Sequence, residues 1–241
     1  DQDYHRILTT GSHFAYLKIA EGCNHSCAFC VIPKIRGRYR SLTPVAIIKE
    51  SRSVVRQGVK EIAVIAQDTT AYGHDLPREV EASLPSLLNS LASLDFSWIR
   101  LLYTYPTSLS DEVLGLIQSH EKLVKYVDLP LQHVSHRVLR AMKRPGDYDS
   151  TVKLIKKIRE MIPGVTIRSS FIVGFPGETE EDFQELLSFL KQMRLDHVGI
   201  FKYSQEEDTS AYNLTQQIPE EEKERRYKTA MELQQEISFQ L

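Results

Sequence analysis

The stretch Ala20-Glu21-Gly22-Cys23-Asn24-His25-Ser26-Cys27-Ala28-Phe29-Cys30-Val31-Ile32 holds all three cysteines of this 241-residue chain, spaced C-x3-C-x2-C. Three thiolates on one short loop can occupy three corners of a metal cluster. Soft thiolates suit iron–sulfur clusters, and a cubane held by three cysteines leaves one iron open to an outside ligand. A structural zinc site asks for four protein ligands, usually from two separated pairs. Here there is one triad and no second pair. Two other readings of the same residues stay open: His25 as the fourth ligand of a Cys3His zinc site, or three ordinary buried or redox-active cysteines.

The elements around the triad decide where it sits. Residues 14–20 read as a strand, so the thiols lie on a loop at its carboxyl end, where α/β proteins bind ligands. Further apolar strands are expected at 61–66, 98–103, 126–129, 165–173 and 198–203. Several run into polar or glycine-containing loops: Gln67-Asp68-Thr69-Thr70, Thr104-Tyr105-Pro106-Thr107, Pro130-Leu131-Gln132-His133 and Gly174-Phe175-Pro176-Gly177. Helical stripes fill the intervals. Thr43-Pro44 starts one that carries Ile47, Ile48, Val54 and Val55 and ends at Gly58. Leu84, Leu87, Leu88 and Leu91 make another. Ser110 and Thr179 cap two more, the second carrying Phe183, Leu186, Leu187, Leu190 and Met193. Residues 219–241 read as a charged helix with Ala230, Leu233, Ile237 and Leu241 on one side. Six alternations of strand and helix predict a parallel sheet with right-handed crossovers. Six units are fewer than the eight of a closed barrel, and periodicity alone does not separate an open sheet from a partial barrel. Lys34, Arg36, Arg38 and Arg40 alternate with other residues, which predicts an extended segment with one basic face. That face suits a phosphate, a carboxylate or an acidic partner, against the plainer reading of a solvated loop.

Composition sets the class. Hydrophobic residues are 41% and charged residues 26%, ordinary for a soluble globular α/β domain. No apolar run approaches the roughly 20 residues of a membrane span, and no secretory signal is visible. Clustered cysteines argue for a reducing cytoplasm. A formal net charge of −2 gives no general nucleic-acid footprint. Residues 1–13 read as a linker.

With the aromatic Phe29 just before the last cysteine, the triad resembles the signature of the radical S-adenosylmethionine (SAM) superfamily. Longer stretches are similar to the methylthiotransferase family within it: Glu21-Gly22-Cys23, Ile32-Pro33, Arg36-Gly37-Arg38-Tyr39-Arg40-Ser41, Gln67-Asp68-Thr69-Thr70-Ala71-Tyr72-Gly73, Leu129-Pro130-Leu131-Gln132-His133 and Phe171-Ile172-Val173-Gly174-Phe175-Pro176-Gly177-Glu178-Thr179. The resemblance runs from about Phe14 to about Ser210. It implies a partial (β/α)6 TIM-like barrel, the radical SAM core, over residues 14–218. It implies that Cys23, Cys27 and Cys30 hold a 4Fe–4S cluster whose free iron is chelated by SAM. One-electron cleavage of SAM then gives a 5′-deoxyadenosyl radical that abstracts hydrogen, so no acid–base pair is needed.

The resemblance also suggests SAM contacts. Phe29 would pack on the adenine, or serve as plain core. Where many members carry Gly-Gly-Glu for the SAM amino group, this chain has Ala66-Gln67-Asp68, so Gln67 and Asp68 are carried over by position only. Gln132 would reach the ribose or carboxylate. Arg168 would pair the carboxylate as a forked donor, or form a structural salt bridge. Gly174 would let the backbone approach the adenine. His133 stays unassigned between substrate contact and helix cap.

Asp128-Leu129-Pro130-Leu131-Gln132-His133 and Met142-Lys143-Arg144-Pro145-Gly146 look like the branch that adds a methylthio group to an aspartate of a small-subunit ribosomal protein, the twelfth of its series. The tRNA-modifying branch of the same family is the alternative, and a non-enzymatic zinc or redox module is the third. Whole members of the family carry a second 4Fe–4S cluster in an amino-terminal domain and a carboxyl-terminal TRAM β-barrel. The chain therefore looks like a central domain, with its last helix leading to TRAM. The family further implies an electron donor such as a flavodoxin-type protein, a cytoplasmic location and no membrane.

Overall fold

A computed structural model describes residues 7–241; residues 1–6 of the expected linker lie outside the described part. The order is β1 (Phe14–Lys18), β2 (Ala20–Glu21), α1 (Ile32–Arg36), β3 (Arg40–Ser41), α2 (Pro44–Arg56), β4 (Glu61–Ile65), short 3-10 turns at Thr69–Ala71 and Arg78–Val80, α3 (Leu84–Ala92), β5 (Trp98–Leu101), α4 (Asp111–Ser119), β6 (Tyr126–Asp128), α5 (His136–Ala141), α6 (Tyr148–Met161), β7 (Thr166–Val173), α7 (Glu180–Met193), β8 (His197–Lys202) and α8 (Glu220–Gln240). The elements fall into two compact units. One holds residues 7–24 of the described part, Arg36–Asp128 and Met161–Val165. The other holds His25–Ile35, Leu129–Glu160 and Thr166–Leu241.

In the first unit β1, β4 and β5 form a parallel sheet, with Phe14 opposite Glu61 and Glu61 opposite Trp98. Ile62, Ala63 and Val64 are all buried, as expected for a parallel strand covered on both faces. Thr43 caps α2 by accepting from Ala46 N at 3.3 Å, Pro44 stands at its first position, and Gly58 follows its end at φ +87°. The buried residues of α3 are Leu84, Leu87, Leu88, Leu91 and Ala92, the stripe that the sequence predicts with one addition.

In the second unit β7 and β8 are parallel, from Arg168 opposite His197 to Val173 opposite Lys202. The loop before α5 runs along β7: Leu129 N donates to Arg168 O, Gln132 N to Ser170 O, and Ile172 N to Gln132 O, each at 2.8 Å. Helix α7 opens with a capping box between Thr179 and Asp182.

Two sequence expectations are corrected. The basic run is not one extended face. Lys34 and Arg36 lie in α1, Gly37 turns the chain at φ +74°, and only Arg40 enters a strand. The amides of Lys34 and Ile35 both reach Val31 O, so a local turn wins over extension. Helix α8 buries Lys223, Arg226 and Gln234 together with Ala230 and Ile237, whereas Leu241 is 65% exposed. Its seam therefore begins with two cations ahead of Ala230, with Gln234 rather than a leucine in the following turn.

The packing of α3 and α2 makes a graded prediction. Leu88 is fully buried and Val45 is 79% exposed. Leu88→Ala should cost about 2–5 kcal/mol in urea unfolding, and Val45→Ala less than about 0.5 kcal/mol.

Candidate cluster and SAM site

Each unit holds part of the cysteine loop. In the first, Gly22 turns at φ +84°, and a Cβ there would stand 2.3 Å from Arg38 O. Next to it, Cys23 N donates to Gly37 O at 3.2 Å, and Tyr39 N donates to Asn24 Oδ1 at 3.1 Å. The two-residue ladder of β2 and β3 continues this clamp, pairing Ala20 with Ser41 and Glu21 with Arg40. Tyr39 reaches further: its hydroxyl donates to Asp68 O at 2.8 Å. Burial, helped by the nearby Asp68 and Asp75 carboxylates, pushes the Tyr39 phenol far up, so it stays a neutral donor.

Gln67 and Asp68 follow β4 in the same unit. Asp68 is buried, and its Oδ1 accepts from Thr70 N at 2.9 Å and from the Thr70 hydroxyl. That carboxylate is the N-cap of the Thr69–Ala71 turn. Gln67 is exposed and hydrogen-bonds Glu21. With Lys18 and Arg36 it holds the Glu21 carboxyl below its usual range, Lys18 having the largest effect. Lys18 Nζ lies 2.6 Å from Glu21 Oε2 and Arg36 Nε 3.6 Å from Oε1.

In the second unit Cys27 and Cys30 close a tight turn, with Cys30 N donating to Cys27 O at 3.1 Å. Ala28 pins the turn from both sides: its N donates to Met142 O at 2.9 Å, and its O accepts from Ala211 N at 2.8 Å. Ala28 is also buried in an apolar cluster with Val138, Met142, Phe175, Tyr203 and Ala211, against which Phe29 and Ile172 pack. Phe29 thus has a core role, beside the Phe175 that follows Gly174. Arg144 Nη1 donates to Cys27 Sγ at 3.6 Å, and Nη2 to Pro130 O at 2.8 Å. Burial pushes the Cys30 thiol up, while Arg144 acts in the opposite sense. Sequence reasoning treated Met142-Lys143-Arg144-Pro145-Gly146 as a turn and a branch motif and missed Arg144. An arginine in a motif that also pins the loop was the available signal.

Gln132 adopts a left-handed conformation, φ +72°, which lets its main chain bond both Ser170 and Ile172 of β7. Gly174, at φ +73°, has Lys223 Cγ only 2.3 Å from where its Cβ would stand. The glycine is required by α8 as well as by its φ. Arg168 lies at the amino-terminal part of β7, away from the strand end that carries Gly174. It lines a cleft of about 770 Å³ with Asp196, His197 and Gly199 and with Tyr227 and Glu232 of α8. Within this unit the structure brings Phe29, Gly174 and the cysteine turn together and places Arg168 elsewhere. His133 is fully buried, and its Nδ1 accepts from the amide of Ser135, the residue that precedes α5, at 3.0 Å.

Residues 17–190 match the radical SAM superfamily. The chain belongs to that superfamily, and membership implies a 4Fe–4S cluster and SAM. Its similar relatives include the ribosomal protein uS12 methylthiotransferase RimO of Heliobacterium modesticaldum, 50% identical over all of this chain and 52% of that protein. RimO of Proteus mirabilis is 50% identical over 96% of this chain and 54% of its own length. The chain spans about half the length of the curated relatives it matches. Among solved structures, Escherichia coli coproporphyrinogen III oxidase HemN superposes with a TM-score of 0.64 at 16% identity, covering 92% of this chain and 52% of that one. Streptococcus suis SuiB bound to SAM gives 0.64 at 14%, covering 93% and 48%. These likenesses show the fold: it is the α/β fold of radical SAM enzymes that the sequence implied.

The residues present fit the cluster. None of Cys23, Cys27 and Cys30 is in a disulfide, and all are partly exposed. Among the described residues no three His, Cys, Asp or Glu side chains converge as ligands of one metal ion. A cubane asks for something different, since each cysteine takes its own iron.

The clamp on Gly22 generates a prediction. In Gly22→Ala the new methyl collides with Arg38 O at a φ that L-residues rarely adopt. Iron retained after anaerobic reconstitution should fall by about half or more, with a loss of about 1–3 kcal/mol in thermal stability.

Proposed function

We propose that this chain is the radical SAM core of a methylthiotransferase that modifies the β-carbon of an aspartate in ribosomal protein uS12. One observation carries the reading: a three-cysteine loop without a disulfide, held by main-chain bonds, in a chain about half identical to relatives named for that activity. Residues 14–218 form the core. Residues 219–241 are the helix toward a TRAM domain, and a second 4Fe–4S cluster belongs to an amino-terminal domain of the whole protein. A flavodoxin-type protein would supply electrons, and the setting is cytoplasmic. No helix among the described residues is long and apolar enough to cross a membrane.

When bound, the reduced cluster and SAM supply the radical that removes hydrogen from an unactivated carbon. The chain's own residues do the holding. Cys23, Cys27 and Cys30 take three irons. The guanidinium of Arg144 donates to Cys27 Sγ and to Pro130 O, which fixes where that side chain stands. The apolar cluster around Ala28 and Phe175 keeps water from the back of the loop. Gln132 and Gly174 present main chain at the carboxyl end of β7, with Phe29 beside them, as the SAM-binding surface. Gln67 and Asp68 contribute at the end of β4 by position, Asp68 through the turn it caps. Arg168 would reach SAM only from the lower part of β7, which makes it the weakest of these contacts.

Anaerobic reconstitution with iron and sulfide tests the reading. About four irons per chain are expected, with a paramagnetic spectrum of the reduced protein that changes when SAM is added. Each of Cys23→Ala, Cys27→Ala and Cys30→Ala should abolish both. With the whole protein, mass spectrometry should find the methylthio group on uS12 and not on tRNA. A zinc-loaded chain, or a cluster blind to SAM, would sink the mechanism, and a tRNA product would move the chain to the other branch.

A further inference from the structure

One group of buried charges takes no part in the chemistry above. Glu178, in the loop between β7 and α7, has a fully buried side chain. Its Oε2 accepts from Gly174 N and, at 3.1 Å, from Phe175 N. Its Oε1 lies 3.6 Å from His133 Nε2, and both atoms are buried without a hydrogen-bond partner. His133 Nδ1 already accepts from Ser135 N, so the neutral ring carries its proton on Nε2, facing the carboxylate. That contact is roughly half an ångström longer than an ordinary N–H···O bond. One carboxylate therefore faces both ligand-binding loops: the turn at Gly174 through two amides, and the loop after Gln132 through the next residue, His133.

A buried carboxylate needs a cation nearby, and α8 provides it. Arg226 is 6% exposed at its side chain. Its Nη1 lies 3.4 Å from Glu178 Oε2 and donates to Glu178 O at 3.0 Å. Its Nε donates to Glu222 Oε1 at 2.7 Å, so the guanidinium is fixed on its own helix as well. One turn earlier, the Lys223 stem fills the space beside Gly174. Arg225, on the outer face of the same turn, pairs with Glu180 and Glu222 and is 47% exposed.

We propose that Arg226, acting through Glu178, is a positioning residue that sets the Gly174–Phe175 turn and the Gln132–His133 loop for SAM. Helix α8, which lies beyond residues 17–190 of the family match, is then part of the cofactor site. The inference rests on the reading that these two loops contact SAM. The geometry gives it two specific consequences. The Gly174 and Phe175 amides point at the carboxylate rather than at ligand, so they order the turn from behind. Arg226 touches nothing at the SAM surface, so its loss acts on affinity through the loop and leaves the cysteines alone.

The test uses the iron-loaded chain as wild type, Arg226→Met, Arg226→Lys and Arg225→Met. Equilibrium dialysis gives the Kd for SAM, iron is counted, circular dichroism follows folding, and hydrogen exchange at Gly174 and Phe175 is measured without SAM. Arg226→Met should raise Kd by about tenfold or more at unchanged iron content, with faster exchange at both amides. Arg226→Lys, which keeps the cation but not the fork, should give an intermediate rise. Arg225→Met should leave Kd within about twofold. Arg226 variants that fold and bind SAM like wild type would overturn the proposal. If Arg226→Met does not fold, Arg226→Lys decides: a raised Kd supports the proposal and an unchanged one overturns it. A wild-type chain with full iron that ignores SAM would instead overturn the functional reading and this inference with it.

Discussion

The cysteine loop cannot anchor itself with the side chains that define it. On the proposed reading three of its side chains go to iron, so the loop is left to be held by its main chain, and the surrounding structure supplies the partners. Cys23 N is taken by Gly37, Ala28 is bonded on both sides by Met142 and Ala211, and Cys30 N closes on Cys27. Each neutral bond is worth about 1 kcal/mol net. Their value is geometric: four bonds fix a short segment without calling on its three cysteine side chains. The positive φ of Gly22 and the close passage of Arg38 belong to the same requirement. So does the small size of Ala28, which lets the loop sit directly on the apolar cluster of Val138, Met142 and Phe175.

Buried charge in the second unit follows a different logic. Glu178, Asp182 and Arg226 are all nearly sealed from solvent, where an unpaired ion would cost several kcal/mol. Each is matched. Asp182 accepts from Ser135 Oγ at 2.6 Å, from Thr179 N at 2.8 Å and from Arg137, which joins α7 to the start of α5. Arg226 reaches Glu178 and Glu222 together. The Glu222 carboxyl is held down to about 2, by Arg225 first and by Arg226 as well. Such pairs add little net stability over apolar packing. What they add is a fixed relation between loops, since a carboxylate with two amide donors tolerates less displacement than a leucine.

Much of this was legible in the sequence, and the parts that were not share a cause. The strands at Phe14, Glu61, Trp98, Tyr126, Thr166 and His197 stand within a residue or two of expectation, because apolar runs between polar loops have few other uses. The caps Thr43, Ser110 and Thr179 were readable because a hydroxyl before a helix has a short-range job. The basic run from Lys34 to Arg40 was misread because alternation over a few residues fits both a strand and a solvated turn. Position at the end of β4 suggested Asp68 as a cofactor contact, and its cap on the Thr69–Ala71 turn went unread because a single-residue feature does not show which backbone amides a carboxylate meets. The seam of α8 was missed because hydropathy places Lys223 and Arg226 outside. Only a partner distant in sequence, Glu178 or the turn at Gly174, makes their burial sensible.

Perturbed titrations often mark active sites, and here, the Cys30 thiol apart, the tyrosines that titrate furthest from their usual range are structural. Among the phenols the largest upward shifts belong to Tyr39 and to Tyr72, whose phenol burial pushes up to about 12. Their hydroxyls donate to main-chain oxygens, Tyr39 to Asp68 and Tyr72 to Leu42. These are structural donors kept neutral, tying the end of β4 and the start of α2 to neighbouring loops. An enzyme that relied on general acid–base chemistry would have to hold a carboxyl or imidazole near neutrality at its reacting centre. A cofactor that carries the hard chemistry relieves the protein of that task. What remains is placement, and placement is done by amides, glycines and buried pairs. The informative residues of this chain are therefore Gly22, Ala28, Gln132, Gly174 and Glu178, each of which fixes where a main-chain atom stands.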